Sequence, residues 1–390
     1  MNEETGIVAL EELPEKEIYL DIEPISINRI KDTIKNNFSR KKFANKIRIS
    51  ERILSHWLTD CSLIRLDIFK KIINFLFVDY EDIKIMSIRG KSNGKIENPK
   101  LPFNFTTKSG AKFIACMLGD GSLNRRGVFY SNTNLDLING FIKDCKKIFG
   151  NVEISINHTE KKKSIVHTVS LPIFCKNIVN KLGLPIGPKV VNNPHIPNFI
   201  FNLGKGKIAE FISQIIDDEG SISIASRHIR IKFALIETER QSNLVDDLQK
   251  LFSELEIETS IYQIGQYNSS TGIKRKNWQI EIHSFNQLEK LVKILNLRHK
   301  EKLKKLKILL NSKKINHFPK KKCQQIYLSI MKKIQEQKGY FTSFDIATAT
   351  NRNVGSCRNS IIKFRKLNLI RCIKPYAIGN LHAPAKYVIK

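Results

Sequence analysis

The chain has 390 residues, more than a single compact core usually holds, so two or three domains are expected. With 66 lysines and arginines against 37 acids the formal charge is +29, and a surface so charged repels itself unless a polyanion is near, of which nucleic acid is the commonest. No run approaches the roughly 18 apolar residues that span a bilayer, and the 7 cysteines (Cys61, Cys116, Cys145, Cys175, Cys323, Cys357, Cys372) stand singly, so the sequence argues against a membrane span and a Cys-x-x-Cys metal or redox site and points to buried, reduced thiols.

From the N-terminus, residues 1–24 are acid-rich and lack the form of a signal or transit peptide, which points to a flexible leader on an intracellular protein, cytoplasmic or nucleoid-associated. Residues 25–88 read as a small helical domain. Within it, Phe43-Ala-Asn-Lys-Ile-Arg-Ile-Ser-Glu-Arg-Ile-Leu-Ser-His-Trp57 looks like a phage-repressor helix-turn-helix. Phe43, Ala44 and Ile47 anchor the first helix, Ile49 sits in the turn, Ser50 caps the second helix, and Ile53, Leu54 and Trp57 are core. Glu51, Arg52, Ser55 and His56 are left on the outer face, which such a motif lays in the major groove; a plain helical hairpin would show the same pattern. The stretch 89–104, containing Arg89-Gly-Lys-Ser-Asn-Gly-Lys-Ile-Glu-Asn-Pro-Lys-Leu-Pro102, is polar and rich in Gly and Pro and reads as a linker.

The middle part repeats itself, as 105–200 and 201–312. Lys112-Phe-Ile-Ala-Cys-Met-Leu-Gly-Asp-Gly-Ser122 and Phe211-Ile-Ser-Gln-Ile-Ile-Asp-Asp-Glu-Gly-Ser221 are each an apolar helical run ended by an acid, a glycine and a serine. Short strands, an amphipathic helix, more strands and another helix follow both. The amphipathic helices bury Ile138, Phe141, Ile142, Cys145, Ile148 and Phe149 in one copy and Leu244, Val245, Leu248, Leu251 and Phe252 in the other, at the spacing of one helical face. Two equivalent α/β units are implied. In Ile229-Arg-Ile-Lys-Phe233, Arg230 and Lys232 project opposite the core, as Gln279 and Glu281 lie across from Trp278, Ile280 and Ile282. Such a sheet can take helices on its apolar face and DNA on the other, or leave that other face solvated.

The acids at the two helix ends carry chemistry. A helix C-terminus holds roughly half a negative charge and disfavours a carboxylate by several tenths of a kcal/mol, and a glycine cap explains Gly121 and Gly220 but not Asp120 and Glu219. Something positive must offset them. Packed side by side, two such ends would repel unless a divalent cation sat between them, and carboxylate-plus-water coordination suits Mg²⁺. Metals held in that way activate water and stabilise the leaving oxygen of a phosphodiester.

These features together resemble the LAGLIDADG homing endonucleases of the single-chain, two-motif type, with motifs Phe113-Ile-Ala-Cys-Met-Leu-Gly-Asp-Gly121 and Ile212-Ser-Gln-Ile-Ile-Asp-Asp-Glu-Gly220. Gly183-Leu-Pro-Ile-Gly-Pro-Lys189 and the turn from Pro194 to Phe199 look like that family's connection between halves, and the likeness covers roughly half the chain. It implies an α+β fold, a pseudo-twofold pair of αββαββα units with saddle-shaped antiparallel sheets. It also implies that Asp120 and Glu219 hold Mg²⁺, with Mn²⁺ able to substitute, and each cleave one strand of double-stranded DNA across the minor groove. A lysine from each half would polarise water or phosphate, with Lys163 and Lys276 as candidates. Their surroundings, Lys161 to Lys163 and Lys274-Arg275-Lys276, suit simple phosphate contact as well, and Lys274 and Arg275 join Arg230 and Lys232 as expected DNA contacts. Ile114 and Gln214 stand where the family often places small residues and Leu118 where it often places an acid, departures that bear on helix packing. Two motifs in one chain imply a monomer with no obligate protein partner.

After a basic linker at 313–322, residues 323–390 resemble a winged helix. Its parts would be helices over Gln324 to Gln337 and Thr342-Ser-Phe-Asp-Ile-Ala347, a recognition helix from Val354 to Lys366, and a hairpin containing Gly379-Asn380. Arg352, Arg358, Asn359 and Lys363 would face DNA, although winged helices also dock proteins. Two functions follow: a sequence-specific, Mg²⁺-dependent double-strand DNA endonuclease with flanking domains that lengthen its site, or a non-cleaving transcriptional or architectural regulator on the same scaffold. A carboxylate pair facing phosphates is a liability to a protein that only binds, which favours the enzyme. RNA as the substrate stays open.

Overall fold

The strand Ile18–Ile22 sets the architecture of the N-terminal region. A computed structural model describes residues 2–60, 63–91, 94–161, 164–224, 228–236, 241–268, 272, 274–311, 323–352, 354–375 and 384–390. The chain starts with α1 (Asn2–Thr5), β1 (Ile7–Val8), β2 (Ile18–Ile22), α2 (Pro24–Asn37), α3 (Arg40–Lys46) and α4 (Glu51–Asp60). It continues with β3 (Ile64–Arg65), α5 (Leu66–Leu76), β4 (Ile85–Gly90), β5 (Lys95–Glu97) and β6 (Phe103–Asn104). On β2, Ile18, Leu20 and Ile22 alternate into the core while β3 and β4 pair on its two edges.

Residues 1–24 are not a flexible leader: β1 pairs with β6, Val8, Leu10 and Leu13 are buried, and β2 is an interior strand. Nor is 89–104 a linker, because Ile88 and Ile96 face each other, fully buried, across β4 and β5. The apolar residues of such short strands are too few to outweigh the acids, lysines and glycines of their exposed faces. The α3–α4 pair turns through Arg48, in the left-handed region at φ 55°. Phe43, Ala44, Leu54 and Trp57 are buried as expected, but Ile53 is 46% exposed, because α4 seats the face of Leu54, Trp57 and Leu58.

The middle of the chain holds the two repeats. The first is α6 (Lys108–Leu118), β7 (Gly121–Asn124), β8 (Gly127–Asn132), α7 (Leu135–Phe149), a short β9 (Asn151–Val152), β10 (Ser155–Lys161), β11 (Ser164–Ser170) and α8 (Cys175–Lys181). Short α9 (Lys189–Asn192) and α10 (Asn198–Phe201) lead to the second: α11 (Lys205–Glu219), β12 (Gly220–Ser223), β13 (His228–Ile236), α12 (Asn243–Glu254), β14 (Ser260–Asn268), β15 (Lys274–Ile282) and α13 (Phe285–Ile294). Both repeats hold a four-stranded sheet in which the first strand pairs with the second, the second with the fourth and the fourth with the third. Asn134 and Ser242 cap the amphipathic helices α7 and α12 by accepting bonds from their first-turn amides. Strand β9 adds to β5, so the sheet of the N-terminal region, order β3-β2-β4-β5-β9, ends on a strand of the first repeat.

The C-terminal part comprises α14 (Lys300–Asn311), α15 (Cys323–Lys338), α16 (Ser343–Thr350), α17 (Val354–Lys366), β16 (Ile370–Lys374) and β17 (Lys386–Ile389). Tyr327, Met331, Phe341, Ile346, Ile361 and Phe364 form its own core, and Thr342 and Asp345 form a capping box on α16. The basic stretch 313–322 and the hairpin turn with Gly379-Asn380 lie outside the described residues. Residues 1–220, 231–281 and 293–300 form one compact unit, and 221–230, 282–292 and 301–390 another. The molecule is thus α+β with antiparallel sheets, and among the described residues no helix is long and apolar enough to cross a membrane. Cys116, Cys145, Cys175 and Cys357 are buried with free thiols, and Cys372 is half-buried.

Candidate active site

Helices α6 and α11 pack along each other, and both are buried over most of their length. Thr107 caps α6 by accepting from the amide of Gly110, 3.0 Å away. Near the helix starts, Lys112 Nζ lies 2.6 Å from Glu210 Oε2, which joins the two helices through a nearly buried ion pair. Burial works to raise the Glu210 carboxyl, but the bond and charge from Lys112 outweigh it and hold the group below its ordinary value. Farther along, Gln214 is fully buried and accepts from Arg298 Nη1 at 3.2 Å, while Arg298 Nη2 reaches Asp144 at 2.6 Å, so a residue after the second repeat ties α11 to α7.

At the other end lie Asp120, Asp218, Glu219 and Lys189. Asp120 follows α6, is exposed, and accepts from Asn132 Nδ2 at 2.7 Å through Oδ2. Glu219 closes α11, half-buried. Its neighbour Asp218 points inward, its Oδ1 accepting from Tyr130 Oη at 2.7 Å and Gln214 Nε2 at 3.0 Å. Burial pushes the Asp218 carboxyl well above the carboxylate range, and the charges of Asp120 and Asp217 add to that against the pull of its hydrogen bonds. Lys189, the first residue of α9, donates from Nζ to the carbonyls of Met117 (3.4 Å), Leu118 (3.0 Å) and Gly119. Burial draws the Lys189 ammonium below its ordinary pKa, opposed by the charges of Glu219, Asp120 and Asp218.

Among the described residues, Lys189 supplies positive charge at these helix ends. Of the two lysines expected there, Lys163 lies outside the described residues, and Lys276 sits on β15 opposite Gln266. Gly121 and Gly220 are required by close approach: a Cβ at Gly121 would lie 2.6 Å from the Cys116 carbonyl oxygen, and one at Gly220 2.4 Å from that of Ile216. Asp217, where the first repeat has Leu118, accepts from the backbone amides of Arg298 (2.7 Å) and His299 (3.2 Å) and holds the segment that follows the second repeat.

Apart from Arg352, the expected DNA contacts fall on β13, β15, α4 and α17. On β13, buried Ile229, Ile231 and Phe233 alternate with half-buried Arg230 and exposed Lys232. On β15 the alternation puts Arg275 on the side of Gln279 and Glu281, but Lys274 and Lys276 on the side of Ile280 and Ile282, so the basic triplet does not present one face. Arg52 and His56 are exposed on α4, while Ser55 accepts from Arg40 Nη1 at 2.8 Å. Arg52, Ile53, His56 and Leu63 share an apolar-floored cavity of about 650 Å³. In the C-terminal part, Arg358 and Lys363 are exposed on α17 with Asn359, and Arg358 lies 5.9 Å over the Phe344 ring. Arg352, expected as a DNA contact, donates to Tyr327 Oη at 2.9 Å.

Among the described residues no three His, Cys, Asp or Glu side chains converge as a metal cage would. The donors at the helix ends are two carboxylates beside carbonyl oxygens, a set that suits an ion keeping several waters and taking one or two carboxylates, as Mg²⁺ does. Compared with protein-family models and with curated proteins, the chain matches none.

Proposed function

We propose that the protein is a sequence-specific, Mg²⁺-dependent double-strand DNA endonuclease on a LAGLIDADG-like scaffold, acting as a monomer, with a helix-turn-helix and a winged helix as flanking DNA-binding parts. The observation that carries this reading is the placement of Asp120 and Glu219 at the ends of α6 and α11, corresponding helices of two like-ordered repeats that pack along each other, with Lys189 bonded to the last carbonyls of α6. Asp120 and Glu219 would hold Mg²⁺, which when bound supplies a low-pKa water and charge neutralisation at the leaving oxygen. Asn132 fixes one oxygen of Asp120 and so orients the other. Lys189 offsets the acids and the C-terminal carbonyls of α6, so that the pair tolerates the approach of a phosphodiester. Arg230, Lys232 and Arg275 would contact backbone phosphates.

The test is incubation of the purified protein with Mg²⁺ and a randomised duplex library, beside an Asp120→Asn/Glu219→Gln double variant. Breaks at a defined site that vanish in the variant while binding persists support the nuclease. Selection of a sequence that stays intact in Mg²⁺ and Mn²⁺ refutes it and leaves a non-cleaving regulator.

A further inference from the structure

The residue before each helix-end acid differs between the repeats: Gly119 in the first, Asp218 in the second. The two are matched in space. A Cβ on Gly119 would lie 2.7 Å from Asp218 Oδ2 and 2.8 Å from its Cβ, so the inward carboxyl needs a glycine opposite. Its partner Tyr130 belongs to β8 of the first repeat, is fully buried, and stacks on Phe141 with ring centroids 4.6 Å apart, which makes its hydroxyl a fixed point. Two residues on, and on the same side of β8, Asn132 donates to Asp120. One strand thus grips both helix ends, the acid of its own repeat directly and that of the other through the preceding residue. Strand β13, second in its own repeat, buries Ile229, Ile231 and Phe233 and offers no polar side chain toward the core at those positions.

Building on the nuclease reading, we propose that Tyr130 and Asp218 are positioning residues: their bond fixes the end of α11, and with it the Glu219 carboxylate, relative to Asp120, so that the geometry of both acids is set from the first repeat. Loss of a bond that orients a metal-holding carboxylate costs about tenfold or more in metal affinity or rate.

The test compares wild type with Tyr130→Phe, Asp218→Ala and Asp218→Asn, the last keeping an acceptor for the Tyr130 hydroxyl. Two readouts are taken on folded protein: Mn²⁺ affinity by electron paramagnetic resonance, and strand-resolved single-turnover cleavage beside the Kd for DNA. The expected result is an Mn²⁺ affinity about tenfold weaker in Tyr130→Phe and Asp218→Ala, slower cutting of one strand with accumulation of a nicked duplex, an unchanged Kd, and recovery in Asp218→Asn. A wild type that binds Mn²⁺ and DNA but does not cut refutes the nuclease and leaves the Mn²⁺ series to decide the latch. Affinities and strand rates equal to wild type, Asp218→Asn no better than Asp218→Ala, or a wild type that binds no Mn²⁺, each overturns the latch.

Discussion

Asp120 and Glu219 beside the helix C-termini concentrate negative charge that the Lys189 ammonium helps to offset, at the cost of its own desolvation. Lys189→Met would leave the acids and the α6 carbonyls facing one another. On the nuclease reading the expected outcome is single-turnover cleavage about 100-fold slower with a nearly unchanged Kd for DNA; a Lys189→Met protein that cuts at the wild-type rate would return the role to Lys163 or Lys276. The Lys112–Glu210 pair at the opposite end gives a prediction independent of function. The folded-state pKa of Glu210 lies below its ordinary 4.5, so the folded state binds fewer protons there, and the pair's contribution is complete above that value and lost as pH falls through the folded one. Glu210→Gln strands a buried ammonium and should cost about 3 kcal/mol in urea unfolding at pH 7, with the gap to wild type closing as pH drops well under 4.5. Asp120 and Glu219 were legible in the sequence because an acid next to a capping glycine breaks a local rule twice. Lys189 was not, since its partners are backbone carbonyls about 70 residues away, and any residue has a carbonyl.

At the level of elements, period-2 alternation decides which charges share a face. It was legible for Ile229 to Phe233, where every second residue is apolar, and in Lys274-Arg275-Lys276 it puts Arg275 on one side of β15 and Lys274 and Lys276 on the other. Lys232 is exposed, and Arg230 and Arg275 are half-buried on the strand sides opposite Ile231 and Ile280, so on the nuclease reading an alanine at each should weaken binding across sequences and lower the slope of log K against log salt by about one. Lys274→Ala, on the side of Ile280 and Ile282, should leave that slope as it is. Filter-binding titrations from low to moderate salt would measure it, and a slope that falls equally for all four would mean that the sheet face does not set the contact. The same reasoning explains Ile53: its type suggested core, but one helical step from Leu54 carries it off the buried face and into the cavity shared with Arg52 and His56. Gln214, a departure from small residues in the motif, is buried without penalty because Arg298 and Asp218 satisfy its amide.

For the whole molecule, the N-terminal residues contribute to a shared sheet rather than trailing from it. Acid content hid this, because charges on the exposed positions of a strand do not stop alternate positions from being buried. Val8, Leu10, Leu13, Ile18, Leu20 and Ile22 are each at most 4% exposed. At about 1.5–3 kcal/mol for each such side chain, they match the entire net stability of a domain, about 5–15 kcal/mol. Their removal would also take β2 out from between β3 and β4, orphaning ladder groups on both, and expose β6 where β1 had covered it. Because β5 continues onto β9, the damage should reach the first repeat. Deletion of residues 2–23 is therefore expected to give aggregated protein, or soluble protein whose near-ultraviolet circular dichroism shows no cooperative melt. A dispensable leader would leave the melting temperature within a degree or two of the full chain, and that result would detach this region from the sheet.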